Sequence, residues 1–290
     1  MTEETPEARE ASAAVVSPGG PPLPDAPPDV PSPAPPPKDR RVLRAVLRWT
    51  AVTVAFVAAG TASAYGITRM ERTDVPGLAT ESDGRWDYPD LTRPALPEGR
   101  PGPFESSNPA GTHAVDLREL VLPAPRGARE DKTLRGTDGW LPTETLLAEY
   151  TTEYRDEVGQ NLIDHGLRHI AARGWTTDDG TRTRIYLLHF DTAAVVDDLT
   201  AEDFAVLDSP GYPLRGSGES VPDEDFYEQI IETELAGAVY TEAEPYGAEQ
   251  VRHGYLAAGD VLALVVQSRA GGTPAVPFRQ TVSLQSELLT

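Results

Sequence analysis

Between Arg48 and Arg69 the chain carries no charged residue for twenty positions, 49–68, and a basic run of Lys38, Arg40, Arg41, Arg44 and Arg48 precedes them. At 1.5 Å per residue, twenty helical residues span roughly 30 Å, the thickness of a bilayer's hydrocarbon core. This segment constrains the chain more than any other feature, because it divides the remaining residues between two compartments. Lys and Arg flanking a first hydrophobic segment stay on the cytoplasmic side. Residues 38–48 hold five basic residues, whereas 69–79 hold Arg69 and Arg72, partly offset by Glu71 and Asp74. The sequence therefore predicts a single-pass protein of the cell membrane, with a cytoplasmic N-terminus and an extracytoplasmic C-terminal domain. Ala62-Ser63-Ala64 also fits the small-x-small pattern cut by signal peptidase, which would leave a chain starting at Tyr65. Signal peptides run to about 15–30 residues, and 48 residues precede the hydrophobic run here, so the retained anchor is the reading adopted.

The charge balance narrows the partners. Residues 1–48 contain seven acids and six bases, so the other 39 acids and 19 bases leave the remainder with a net charge near −20. A phosphate backbone would be repelled, and no nucleic-acid partner is expected. Cysteine is absent, which removes disulfides, thiolate metal sites and a cysteine nucleophile, and leaves stability to a packed core.

Residues 1–37 hold twelve prolines and few large apolar side chains, so they cannot bury enough surface to offset the entropy of ordering. The tail, with its basic flank to residue 48, is expected to be disordered. Residues 69–111 are again punctuated by proline and predict a spacer, part of which Trp86 and Tyr88 could dock onto the domain. Residues 112–290 are ample for one hydrophobic core.

Within that domain, Thr143 as N-cap and the stripe Leu147, Tyr150, Tyr154, Val158 predict a helix over 143–158. Segments 167–176 and 182–191, joined through Asp179-Gly180, predict a hairpin. Residues 192–207 read as helical, with a second capping sequence at Thr200-Ala201-Glu202-Asp203. Ser220, Pro222 and the acids after them predict a helix over 222–233. Strands are expected at 235–241, 250–257 and 261–268, the last two joined by Gly259-Asp260, and a helix at 276–289. The fold class is thus α+β: an antiparallel sheet of hairpins with helices on one face. Hairpin followed by helix occurs twice, at 167–207 and 250–289, which suggests a duplicated unit.

The stretch His169-Ile170-Ala171-Ala172-Arg173-Gly174-Trp175-Thr176-Thr177, then Asp179-Gly180-Thr181-Arg182-Thr183 and the run 185–190, resembles uncharacterised single-pass envelope proteins of high-GC Gram-positive bacteria. The order of Pro-rich tail, basic flank, anchor, spacer and cysteine-free domain is similar too. The resemblance implies a location and brings no activity or catalytic residue with it.

No catalytic constellation stands out. His165 and His169 have the spacing of two metal ligands on a helix, yet Gly166 and the strand expected from 167 break that helix. Ser217, between Gly216 and Gly218, is read as turn chemistry rather than a nucleophile. Acid pairs such as Asp197-Asp198 lack the spacing of a calcium loop. No phosphate loop or dinucleotide signature is present, and neither cofactor nor metal is expected. The expectation is a membrane-anchored, noncatalytic binding or sensory module of the envelope, held in the bilayer by 49–68, with an envelope protein or small ligand as partner. The alternative is an envelope hydrolase with a dispersed site of His165, His169, His189 or His253 and nearby carboxylates. Arg and aromatic side chains dominate interface energetics, so Trp175, Arg182, Arg184 and Tyr186 around the first hairpin are the candidate binding residues.

Overall fold

The structure is a computed structural model that describes residues 40–69, 82–206, 208–223, 226 and 235–290. The chain divides into two units, Met1–Leu78 and Ala79–Thr290. The Pro-rich tail 1–37 and most of the helix expected at 222–233 lie outside the described residues.

The first unit contains α1, Arg41–Arg69. It is rich in Ala and Val, contains no proline, and its stretch Arg41–Tyr65 is long and apolar enough to cross a membrane. The hydroxyls of Thr50, Thr53 and Thr61 donate to the carbonyls of Val46, Trp49 and Val57 at 2.7–2.9 Å. Each polar group is thereby satisfied within the helix, as a hydrocarbon environment requires. Val42, Trp49 and Phe56 are exposed on it.

The second unit is α+β, built on one open, seven-stranded antiparallel sheet. In chain order its elements are α2 (Leu117–Leu120), β1 (Arg129–Glu130), a 3-10 turn (Lys132–Arg135), α3 (Thr143–Leu147), α4 (Arg155–Asp164), β2 (His169–Thr176) and β3 (Arg182–His189). Then come α5 (Ala193–Asp198) with a π-helical continuation (Leu199–Phe204), β4 (Ser220–Pro222), β5 (Ala236–Glu242), β6 (Glu249–Ala258), β7 (Val261–Ala270) and α6 (Ala275–Leu289). The strand order is β1-β2-β3-β7-β6-β5-β4.

Two hairpins form the middle of the sheet, and local chemistry closes both. Thr176 pairs with Arg182, and in the loop between them Asp179 accepts the Thr181 amide at 3.0 Å and the Thr177 hydroxyl at 2.6 Å. Gly180 there takes φ +83°, which a side chain would resist. Ala258 pairs with Val261 across Gly259-Asp260. β3 and β7 then join the hairpins, with Arg182 opposite Ser268.

The sheet is covered on both faces, not one. On one face Ile170, Tyr186, Leu188, Tyr255, Leu264 and Val266 meet Leu146, Val158 and Leu162 of the α3–α4 region, and Val196, Leu199 and Phe204 of α5 and its continuation. On the other, Ala171, Trp175, Ile185, Leu187, Val261, Ala263 and Val265 meet Leu117 and Leu120 of α2, and Phe278 and Val282 of α6. The run Val261-Leu262-Ala263-Leu264-Val265-Val266 is apolar without alternation, the pattern of a strand buried on both sides. The double cover also removes the suggested duplication, because the helix after each hairpin packs on an opposite face.

Three further expectations change. The helix foreseen over 143–158 is broken at 148–154, where the Thr151 amide donates to Pro213 O at 3.1 Å and Glu149 O accepts from the Arg215 amide at 2.6 Å. Backbone groups engaged with 213–215 cannot also join a helical ladder. Ser220–Pro222 is an edge strand rather than a helix start, a position where proline loses no ladder bond it needs. Finally, the spacer reading does not hold for the described part of 69–111. Trp86 N and O bond to the Gln280 amide at 2.8 and 2.9 Å, and Tyr88 OH lies 2.9 Å from Thr281 Oγ1. Ala110 O and Gly111 O accept from Ala193 N and Asp260 N. From residue 82 onward this segment belongs to the domain.

Candidate functional site

A cleft of about 580 Å³ opens at the end of the sheet where β3 begins and β7 ends. Residues two apart on a strand share a face, so Arg182, Arg184 and Tyr186 of β3 project together, next to Ser268 of β7 and Glu249 and Val251 of β6. Above this floor lie Thr145, Ala148 and Glu149. Asp131 and Leu134 close one side, and the loops carrying Arg215-Gly216 and Tyr246-Gly247-Ala248 close the other.

Glu149 organises the floor. Its side chain is 8% exposed, its Oε1 accepts the Tyr186 hydroxyl at 2.7 Å, and the same oxygen lies 2.7 Å from Arg184 Nε. Burial disfavours the Arg184 cation, but attraction from Glu149, followed by Tyr186, outweighs it and holds the guanidinium above its ordinary pKa. Burial first, and then the Glu149 charge, push the Tyr186 phenol far up, so it remains a neutral donor. Nearer solvent, the Arg182 guanidinium reaches both oxygens of Glu249 and holds that carboxyl below its usual range. Arg215 is exposed on the rim, and its side chain makes no ion pair or hydrogen bond among the described residues. Tyr246, 73% exposed, stands on the same rim.

Three of the four residues chosen from sequence, Arg182, Arg184 and Tyr186, therefore meet in one cavity. Trp175 borders it, but its indole is 1% exposed and packs edge-on to Tyr88, at 6.3 Å between ring centroids, in the core of the opposite face. Sequence reasoning missed Glu149, Arg215 and Tyr246. The signal for Glu149 was a carboxylate beside Leu146, Leu147 and Tyr150. Arg215 and Tyr246 reach the cleft only through long-range folding.

The histidines of the hydrolase reading are not brought together with this cleft, which has no histidine in its lining. His165 caps α4, its Nδ1 2.9 Å from Asn161 O, whereas His169 starts β2 and stacks between Trp140 and His189. His189 Nε2 lies 3.1 Å from Asp260 Oδ2, while Asp260 Oδ1 accepts both the amide and Nδ1 of His113, at 3.0 and 2.6 Å. His113 Nε2 faces Leu289 O at 3.0 Å. Burial opposes the Asp260 charge, yet these bonds, His113 foremost, bring its pKa below the usual value. Asp260 thus ties residue 113 to the end of β3, His113 in turn reaches the end of α6, and both His113 nitrogens are taken. His253, 1% exposed, is stacked on Tyr240 and edge-on to Tyr255, and neither ring nitrogen has a partner among the described residues. Ser217 donates to Leu214 O at 2.8 Å, in keeping with a turn residue. Among the described residues no three His, Asp or Glu side chains converge as a metal site would require.

Fold and cleft together define an α+β domain with a concave site lined by Arg182, Arg184 and Arg215. Comparison of the chain with protein-family models, with curated proteins and with solved structures gives no match.

Proposed function

We propose that this chain is a membrane-anchored module of the cell envelope, with its N-terminus in the cytoplasm and its sheet domain outside, and that the domain binds a small polar ligand in the cleft lined by Arg182, Arg184 and Tyr186. One observation carries the binding reading: the Glu149–Arg184 pair, braced by Tyr186, is buried in the wall of this cleft. A buried ion pair contributes little net stability, since desolvation offsets its attraction. Two charges and a phenol fixed at a cavity wall instead supply oriented polar groups beside the apolar side chains of Leu134, Ala148 and Val251, the pattern of a ligand site. The anchor reading rests on the length and apolar composition of α1 and on the five basic residues before it.

Thermal unfolding of the full-length protein in detergent tests the binding reading. Against a panel of small organic acids, amino acids, sugars and phosphates, at least one ligand raises Tm in a concentration-dependent way, and Arg182→Ala reduces that rise. A panel without any effect removes the reading. Turnover of a bound compound would move the protein to the hydrolase class.

A further inference from the structure

Three arginines line the cleft, and they are not equivalent. Arg182 is held by Glu249 and Arg184 by Glu149, whereas Arg215 has no such partner among the described residues. Glu149 is also only half used: Oε1 takes the Tyr186 hydroxyl and the Arg184 contact, while Oε2 accepts no hydrogen bond among the described residues. The two residues meet at the backbone, where the Arg215 amide donates to Glu149 O at 2.6 Å, and both line the cleft. Gly216, at φ +80°, lets the chain turn immediately after Arg215. Beside them Leu134, Ala148 and Val251 supply an apolar wall.

We propose that the cleft takes a small carboxylate bearing a hydrogen-bond donor next to it, the shared chemistry of α-amino acids and of hydroxy acids such as sugar acids. The inference rests on the reading of the cleft as a ligand site. The carboxylate pairs with Arg215, the adjacent ammonium or hydroxyl donates to Glu149 Oε2, and a short substituent lies along the apolar wall. A phosphate dianion fits less well, since two of the three cations are already neutralised and the free Glu149 oxygen repels it. A neutral sugar leaves Arg215 unused. In a domain with a net charge near −20, an uncompensated arginine at the cleft is the local attraction an anionic ligand needs.

Calorimetric titration of the full-length protein in detergent micelles tests this, with lactate, propionate, alanine, glucuronate, glucose and inorganic phosphate as probes. Lactate binds at least about tenfold more tightly than propionate, which lacks only the donor hydroxyl. Arg215→Gln, at an exposed site that the fold does not need, weakens lactate about tenfold or more and leaves the lactate-to-propionate ratio unchanged. Alanine above glucuronate assigns the site to amino acids, and the reverse order assigns it to sugar acids. Glucose or phosphate binding while the carboxylates do not overturns this inference alone, as does unchanged affinity in Arg215→Gln. Silence of all six probes overturns the small-ligand reading with it.

Discussion

Lowering the pH should destabilise the domain through one residue, His253. Its ring is 1% exposed, stacked on Tyr240 and edge-on to Tyr255, without a partner for either nitrogen among the described residues. Burial pushes its pKa down to about 3. In the unfolded chain the ring titrates near 6.5, so below that pH the unfolded state binds a proton that the folded state refuses. Stability therefore falls as the pH falls, by about 1.4 kcal/mol per pH unit, from about 6.5 down to about 3. Between pH 6.5 and pH 4 the loss is about 3 kcal/mol, a large share of the roughly 5–15 kcal/mol that holds a domain folded. Tyr240 and Tyr255 stay neutral throughout, because burial raises both. His253→Leu replaces the ring with an apolar side chain of similar volume and removes two buried nitrogens that lack partners, so at pH 7 the variant is at least as stable as the parent. Urea denaturation followed by tryptophan fluorescence at pH 7, 5.5 and 4 measures both proteins. The carboxylates whose pKa values are lowered, such as Asp179, Glu249 and Asp260, lose their contribution at lower pH and do so in both. The gap between variant and parent should widen by about 3 kcal/mol over this range. Parallel curves, with the gap constant within about 1 kcal/mol, would refute the reasoning.

Two further substitutions probe the cleft and the N-terminal strap. Arg184→Met leaves the Glu149 carboxylate buried without its cation and should cost about 3–5 kcal/mol in denaturant titrations, while a change below about 1 kcal/mol would mean that the pair is solvated. Gly111 adopts φ +64°, and a Cβ there would meet Ala193 Cβ at 2.7 Å and the Gly259 backbone at 3.1 Å. Gly111→Ala should therefore lower stability by at least about 1–2 kcal/mol from backbone strain alone, and protease nicking within 82–111 should accelerate.

The parts of the fold set by local chemistry were legible in the sequence. Asp179-Gly180 and Gly259-Asp260 mark the two hairpin turns, and the helices after them begin at Ala193 and Ala275, within a residue of expectation. Non-local pairing was not legible. The 143–158 stripe was helical in pattern, but residues 149–151 exchange their helical bonds for 213–215, which no local window contains. β1 and β4 have two and three residues, too short for a periodicity, and exist because neighbouring strands offer them an edge. The double cover of the sheet was present in the unalternating run 261–266, where the expectation of a half-buried sheet overrode it. At the cleft, Arg182, Arg184 and Tyr186 could be chosen together because alternate residues of a strand share a face, whereas Glu149, Arg215 and Tyr246 come from segments that only the tertiary fold assembles.

The account stands on the cleft facing the outside of the cell, and the chain's lack of cysteine makes that directly measurable. A single reporter, Arg215→Cys at the exposed cleft rim, is treated in intact cells with a membrane-impermeant maleimide, alongside Ser12→Cys in the N-terminal tail. The account predicts labelling of Arg215→Cys in intact cells and of Ser12→Cys only after permeabilisation. The opposite pattern, or labelling of Arg215→Cys only in broken cells, would contradict it.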